Sequence, residues 1–269
     1  MAGMKIFGAA DSLVKRVTGR FAGLGPILLV LVVWWGLAHS GRFTPFMLPS
    51  PEAVALRAWA DAAQGTLAIN IALTLYRTLA GFLIAAVLGI GFGLAMTRNA
   101  GVNWFFDPIV SIGFPMPKIT FLPIVVLWLG FYDTAKIAMV VFDAVFPVLT
   151  ATILGIRGVG KELVWSARSM GARERDLLPQ VFLPAAMPQI LSGLQVALPI
   201  ALIVDIVAEM TMGGYGMGGA MIQASRLADS RGVFAGILEI SVIGYLLVKA
   251  MARLRRRLLA WHQEVLHRG

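Results

Sequence analysis

The 269-residue chain is 58% hydrophobic and only 14% charged, with a mean hydropathy of +0.81. So few charges cannot clothe a soluble fold, so the bilayer is its natural solvent. The absence of cysteine removes disulfides, thiol chemistry and Cys-ligated metal, and His39, His262 and His267 lie too far apart in the chain to suggest a metal site.

In chain order, residues 1–22 place Ile6, Leu13, Val14, Val17 and Phe21 near one helical face, with Lys15, Arg16 and Arg20 away from it. That pattern suits a cytoplasmic or interfacial segment, with a disordered basic tail as the alternative. Residues 23–66 hold a first span and an external linker, 67–251 a transmembrane core, and 252–269 a basic cytoplasmic tail. A span needs about 20 apolar residues. Six runs qualify as spans, approximately Leu24–Ala38, Ile71–Met96, Phe105–Gly130, Thr134–Ile156, Gln189–Met210 and Val233–Met251. The first could also be read as a signal peptide, but the long segment ahead of it favours a retained span.

The second run carries Gly81, Ala85, Gly89 and Gly93 in one stripe, which predicts close packing against protein. The third contains Pro108, Pro115, Pro117 and Pro123, so a kinked or partly unwound pathway wall is expected there. With a cytoplasmic N-terminus, the inner segments collect 15 Lys and Arg against 4 in the outer ones, which also places the C-terminus inside. The excess of 23 basic over 14 acidic residues therefore reports topology and excludes nucleic acid as its cause.

The longest inner loop, 157–188, reads as a helix over Lys161 to Met170, a left-handed stop at Gly171, and a second helix over Ala172 to Phe182 before Leu183-Pro184. This knob mixes Arg168, Arg173, Glu174, Arg175 and Asp176 with Leu163, Trp165, Leu177 and Leu178, and is suited to docking. The nearby Gly155-to-Lys161 run imitates a phosphate-binding loop, but Glu162 stands where Ser or Thr would hold magnesium and a membrane helix precedes it.

The loop resembles the coupling-loop signature of ABC importer permeases. Trp165-Ser166-Ala167 stands at the EAA-type stretch, followed by Gly171 and by Val181-Phe182-Leu183-Pro184, with Trp165 and Ser166 departing from the usual Glu and Ala. Leu48-Pro49-Ser50-Pro51, Phe106-Asp107-Pro108, the run from Pro117 to Ile137, Gly193 to Ala197, Ala208-Glu209-Met210, Gly216-Met217-Gly218 and Trp261-His262-Gln263-Glu264 are similar to the nitrate/sulfonate/taurine-type branch. The resemblance implies an all-α membrane protein of about six transmembrane helices with the type I ABC importer permease fold. It implies a bacterial inner-membrane homodimer, two ABC ATPase subunits, a periplasmic or lipid-anchored substrate-binding protein, and surrounding membrane lipid. No cofactor is expected in this chain, ATP and magnesium belonging to the partner ATPase, and no catalysis. It also implies that Trp165, Ser166, Ala167, Arg168, Gly171, Arg173, Glu174, Val181, Leu183 and Pro184 couple to that ATPase.

Ionisable residues within spans default to functional candidates. Arg77, Asp143, Asp205 and Glu209, with Pro115, Met116 and Trp128 from the third span, are the pathway candidates. Asp205 and Glu209 lie one helical turn apart, and such acids would repel an anion, which keeps zwitterionic, cationic or heterocyclic cargo open beside sulfonate, taurine or nitrate. Glu239 is a further acid, and the segment from Gly213 to Ala220 reads as a mobile external turn or gate. A secondary transporter is the rival, although no internal repeat supports it; an intramembrane enzyme lacks a convergent catalytic set.

Overall fold

The computed structural model describes residues 25–261. The expected interfacial segment 1–22 and the tail beyond Trp261 lie outside them. The helices are α1 (Gly25–His39), α2 (Pro51–Ala63), α3 (Thr66–Arg98), α4 (Ala100–Gly113), α5 (Leu122–Leu129), α6 (Asp133–Arg157), α7 (Lys161–Ser169), α8 (Glu174–Leu177), α9 (Leu183–Met212), α10 (Met217–Arg226) and α11 (Ser230–Leu258). A 3₁₀ turn, Lys118–Phe121, precedes α5, and a π-helical turn, Leu178–Phe182, joins α8 to α9. No strand occurs among the described residues.

Four helical stretches are long and apolar enough to cross a bilayer: α3, α6, the α8–α9 continuum and α11. The third expected span is instead two helices, α4 and the stretch Lys118–Leu129, bent by 96°. Proline explains the break: Pro115 and Pro117 sit between α4 and the 3₁₀ turn, and neither can donate a helical hydrogen bond. Helix α1 has 15 residues, about 22 Å at 1.5 Å each, shorter than a bilayer core of about 30 Å. The supposed linker after it holds α2, capped by Ser50, whose hydroxyl accepts from Ala53 N–H, with Pro51 in the first turn.

The knob's second helix does not end at Leu183-Pro184. Glu174 to Met212 is one helical stretch of 39 residues, because the π turn loosens the ladder where prolines remove donors, and Leu183 N–H reaches back to Leu178 O. Pro179 and Pro184 are thus absorbed without a break.

Helix α6 lies between α3 and α9. The α3 stripe meets it residue for residue: a Cβ at Gly81 would come within 2.5 Å of Val140, one at Gly89 within 2.8 Å of Val148, and one at Gly93 within 2.7 Å of Thr152. On the other side, Gly193 of α9 faces Ala151 and Pro147 O, and Gly155 of α6 faces Ala186. Gly155, which seemed to begin a phosphate loop, is therefore a helix-packing residue. Ala85, Ala144, Val148, Ala197 and Ala201 are wholly buried between these helices. Small side chains bring the backbones close enough for dispersion contacts to hold helices together where lipid offers no hydrophobic drive.

Gly89→Ala should therefore destabilise the protein by about 1–3 kcal/mol through overpacking against Val148. Gly91→Ala, on an open face of the same helix, should be neutral or slightly stabilising. Thermal unfolding in detergent checks the pair; equal effects would show that the stripe does not set the packing.

Candidate functional site

Three features could carry function: a buried polar cluster, the bent hairpin, and the exposed knob. The cluster is built by α3, α6, α9 and the turn after α9. Helical spacing puts Thr74, Arg77 and Thr78 on one face of α3 and Asp205 and Glu209 on one face of α9. Arg77 is 4% exposed and Asp205 and Glu209 are 0% exposed. Arg77 Nη1 lies 2.6 Å from Glu209 Oε1, its Nε donates to Asp133 Oδ1 at 2.8 Å, and Nη1 also donates to Tyr215 O at 2.7 Å. Thr74 Oγ1 donates to Glu209 at 2.9 Å, and Thr78 Oγ1 donates to Asp205 Oδ2 at 2.8 Å.

The Gly213–Gly219 turn closes this cluster. Lys136 Nζ donates to Gly213 O at 2.9 Å, while N–H groups of Gly216, Met217 and Gly218 donate to Asn70 Oδ1, Thr74 Oγ1 and Glu209 Oε2 at 2.9–3.0 Å. The turn, expected as a mobile gate, is thus tied down by five hydrogen bonds, counting that from Arg77 to Tyr215 O. Its glycines are required: Gly216 has φ +136°, and a Cβ there would fall on the Glu209 carboxylate.

Arg77, Asp205 and Glu209, expected as pathway candidates, are therefore closed inside the chain, where Arg77 and Glu209 pair with each other and Asp205 meets the Thr78 hydroxyl. Asp143 is half-buried and pairs with Lys118 at 3.1 Å. Lys118 was not anticipated as a site residue. Its ammonium donates to Phe114 O at 3.2 Å and Met116 O at 3.4 Å and lies 4.6 Å from the Phe146 ring centre, so it satisfies carbonyls freed at the bend. Pro115 is exposed, Met116 half-buried, and Trp128 79% exposed. An apolar groove of about 630 Å³ runs along α3, α4 and α6, and a mixed cavity of about 350 Å³ lies beside α2, α10 and α11. None of the seven pathway candidates lines either. Above the mixed cavity, Arg57 pairs with Asp61 and Asp229, fastening α2 to the start of α11. Burial alone would lower the Arg57 pKa, but the hydrogen bonds and charges of these two acids together raise it above its ordinary value.

In the knob, α7 ends in a Schellman motif. Gly171 has φ +90°, its N–H donates to Arg168 O, and Ala172 N–H donates to Ala167 O, both at 3.0 Å. Ala167 and Leu177 are buried inside the turn, while Trp165 and Met170 are 62% and 79% exposed. Ser166, Arg168, Arg173 and Glu174 are exposed, with Arg168 and Glu174 bridging the turn at 2.7 Å. Val181 and Leu183 are half-buried and Pro184 exposed, all in the stretch leading into α9.

Removing either partner of the Arg77–Glu209 pair leaves a buried charge without compensation. Arg77→Ala and Glu209→Ala should each cost about 3–5 kcal/mol, and the double substitution clearly less than their sum. A double-mutant cycle on unfolding in detergent measures this; additive losses would remove the pair as the link.

The family of binding-protein-dependent transport system inner membrane components matches residues 85–260. The taurine transport system permease protein TauC of Escherichia coli (strain K12) is 32% identical over 247 residues, covering 90% of each chain. The formylaminopyrimidine transport permease protein ThiX of Halalkalibacterium halodurans is 30% identical, covering 91% of this chain and 98% of its own. Among solved structures, the MetNI methionine ABC transporter in an inward-facing conformation aligns with a TM-score of 0.64 at 18% identity, covering 74% of this chain and 98% of that one. A bacterial ABC transporter for alginate import aligns at 0.62 and 14% identity, covering 91% and 98%. The fold is that of type I ABC importer permeases, and the chain belongs to the family of binding-protein-dependent transport system inner membrane components, as a multi-pass permease.

Proposed function

We propose that this permease carries small organosulfonates, taurine among them, across a bacterial inner membrane. It acts as a homodimer whose knobs at Gly171 receive two ATPase subunits and whose opposite face receives a binding protein. The observation that carries the reading is the knob itself. Exposed Trp165 and Met170 beside Arg168, Arg173 and Glu174 form a mixed surface that a partner would desolvate. That surface leads into the interior through one continuous helical stretch. The stretch Glu174–Met212 spans about 58 Å and carries Glu209 near its far end, so a displacement of the knob is delivered to the polar cluster.

The pathway is assigned to the bent hairpin rather than to the polar cluster. Irregular backbone at membrane depth is tolerated where protein or water meets it, which suits Pro115 and Met116 beside the Lys118–Asp143 pair and the exposed Trp128 further along the hairpin. The acids argue less against an anion, since Glu209 is held by Arg77, Asp143 by Lys118, and Asp205, without a cation partner among the described residues, is wholly buried inside the chain. Relatives named for taurine and aliphatic sulfonates support that class. A heterocyclic cargo is the second reading, favoured by the resemblance to ThiX.

Gly171→Val should keep membrane insertion and abolish ATP-dependent uptake in proteoliposomes containing the ATPase and binding protein, because a β-branched residue at φ +90° disrupts the motif. Normal uptake would sink the docking assignment. Competition of uptake by taurine, alkylsulfonates and aminopyrimidines separates the two cargo classes.

A further inference from the structure

Helix α11 has an outward face whose two halves match in register. Leu238, Val242, Tyr245 and Leu246 are exposed, and Lys249, Arg253, Arg256 and Arg257 are exposed as well. Each cation follows its apolar counterpart by 11 residues, three helical turns, so the four cations continue the same strip about 16 Å further along the helix. The inner face is different. Met251 and Leu259 are buried, and Arg255 is fastened to α9 by Ser192 Oγ at 3.0 Å and Gln195 Oε1 at 3.1 Å.

No carboxylate lies within ion-pair distance of Lys249, Arg253, Arg256 or Arg257 among the described residues. Tyr245 marks the boundary between the halves, its hydroxyl 3.3 Å from Lys249 Nζ, as an amphipathic ring does at the level of lipid headgroups. Leu254, Leu258 and Trp261, also exposed, flank the cations with apolar surface.

We propose that this strip binds an anionic phospholipid, its phosphate held by Arg253, Arg256, Arg257 and Lys249 and an acyl chain lying along Leu238, Val242 and Leu246. A lipid fits better than an acidic protein surface because the cations continue the exposed apolar strip of a helix long and apolar enough to cross a bilayer. The membrane-spanning character of α11 is the part of the functional reading on which this rests; cargo and ATPase docking do not enter it. Because Arg255 fastens α11 to α9, a lipid bound on the outer face of α11 steadies the helix that leads from the knob.

Native mass spectrometry of the full-length protein, released from nanodiscs of phosphatidylcholine mixed with phosphatidylglycerol, tests the assignment. The wild type should retain phosphatidylglycerol several-fold over phosphatidylcholine and show a higher Tm when it is present. The triple variant Arg253→Gln, Arg256→Gln, Arg257→Gln should lose both effects, while Arg255→Gln should keep the lipid preference. Equal retention of the two lipids by the wild type overturns the site without any variant. Undiminished phosphatidylglycerol retention in the triple variant overturns it too, and loss of ATPase association alone in that variant assigns the strip to a protein partner. None of these outcomes bears on cargo, so uptake of taurine stands or falls separately.

Discussion

A carboxylate buried inside the protein must be met by donors, and Glu209 sets the terms for the structure around it. Water is not available to hydrate it, and an uncompensated charge there would cost several kcal/mol. Arg77 supplies the opposite charge, Thr74 a hydroxyl, and Gly218 a backbone N–H. Each donor comes from a different place in the sequence, so satisfying one carboxylate joins α3, α9 and the turn after it. Arg77 then extends the link to Asp133 at the first turn of α6, where a negative charge also favours the helix dipole.

The glycines serve the same end in two ways. Along α3 they remove side-chain bulk so that α6 approaches closely, and after α9 they let the backbone turn its N–H groups onto Asn70, Thr74 and Glu209. Packing and polar satisfaction therefore reinforce one another. Separating α3 from α9 would strand Glu209 and Asp205 together, so the three helices resist moving apart from one another.

Much of this was legible in the sequence where the signal is local. The four-residue period of Gly81, Ala85, Gly89 and Gly93 announces a packing face, and the placement of Gly171 announces a helix stop. The proline-rich third span announces a break, though not that the bend would reach 96°. Contacts set by tertiary placement were not legible. Thr74 and Thr78 lie more than 120 residues from the acids they serve, and nothing in their neighbourhood distinguishes them from other threonines in apolar helices. Lys136 donates to a backbone carbonyl, which carries no residue identity, and Lys118 divides its ammonium between two such carbonyls and Asp143, 25 residues along the chain. The π turn escaped notice because Pro179 and Pro184 read as terminators, whereas a looser ladder lets the helix pass them.

The treatment of cargo shows what a count of charges omits. Four acids in or near the spans suggest a pathway hostile to anions only if their fields reach the pathway. In the folded chain Glu209 is paired with Arg77 and Asp143 with Lys118, while Asp205 has no cation partner among the described residues, meets only the Thr78 hydroxyl, and is screened by being wholly buried. An ion pair's field falls off faster than that of a lone charge, and burial behind α3 and the glycine turn removes it further from any solute. At the bend itself Pro115, Met116 and Trp128 carry no formal charge and Lys118 is paired with Asp143, while Asp107 is exposed further back on α4. On the proposed reading of the bend as a pathway wall, Pro115, Met116 and Trp128 offer a sulfonate no charge that would bind it tightly. This suits a permease in which a separate binding protein performs the selection and the membrane path has only to let the solute leave.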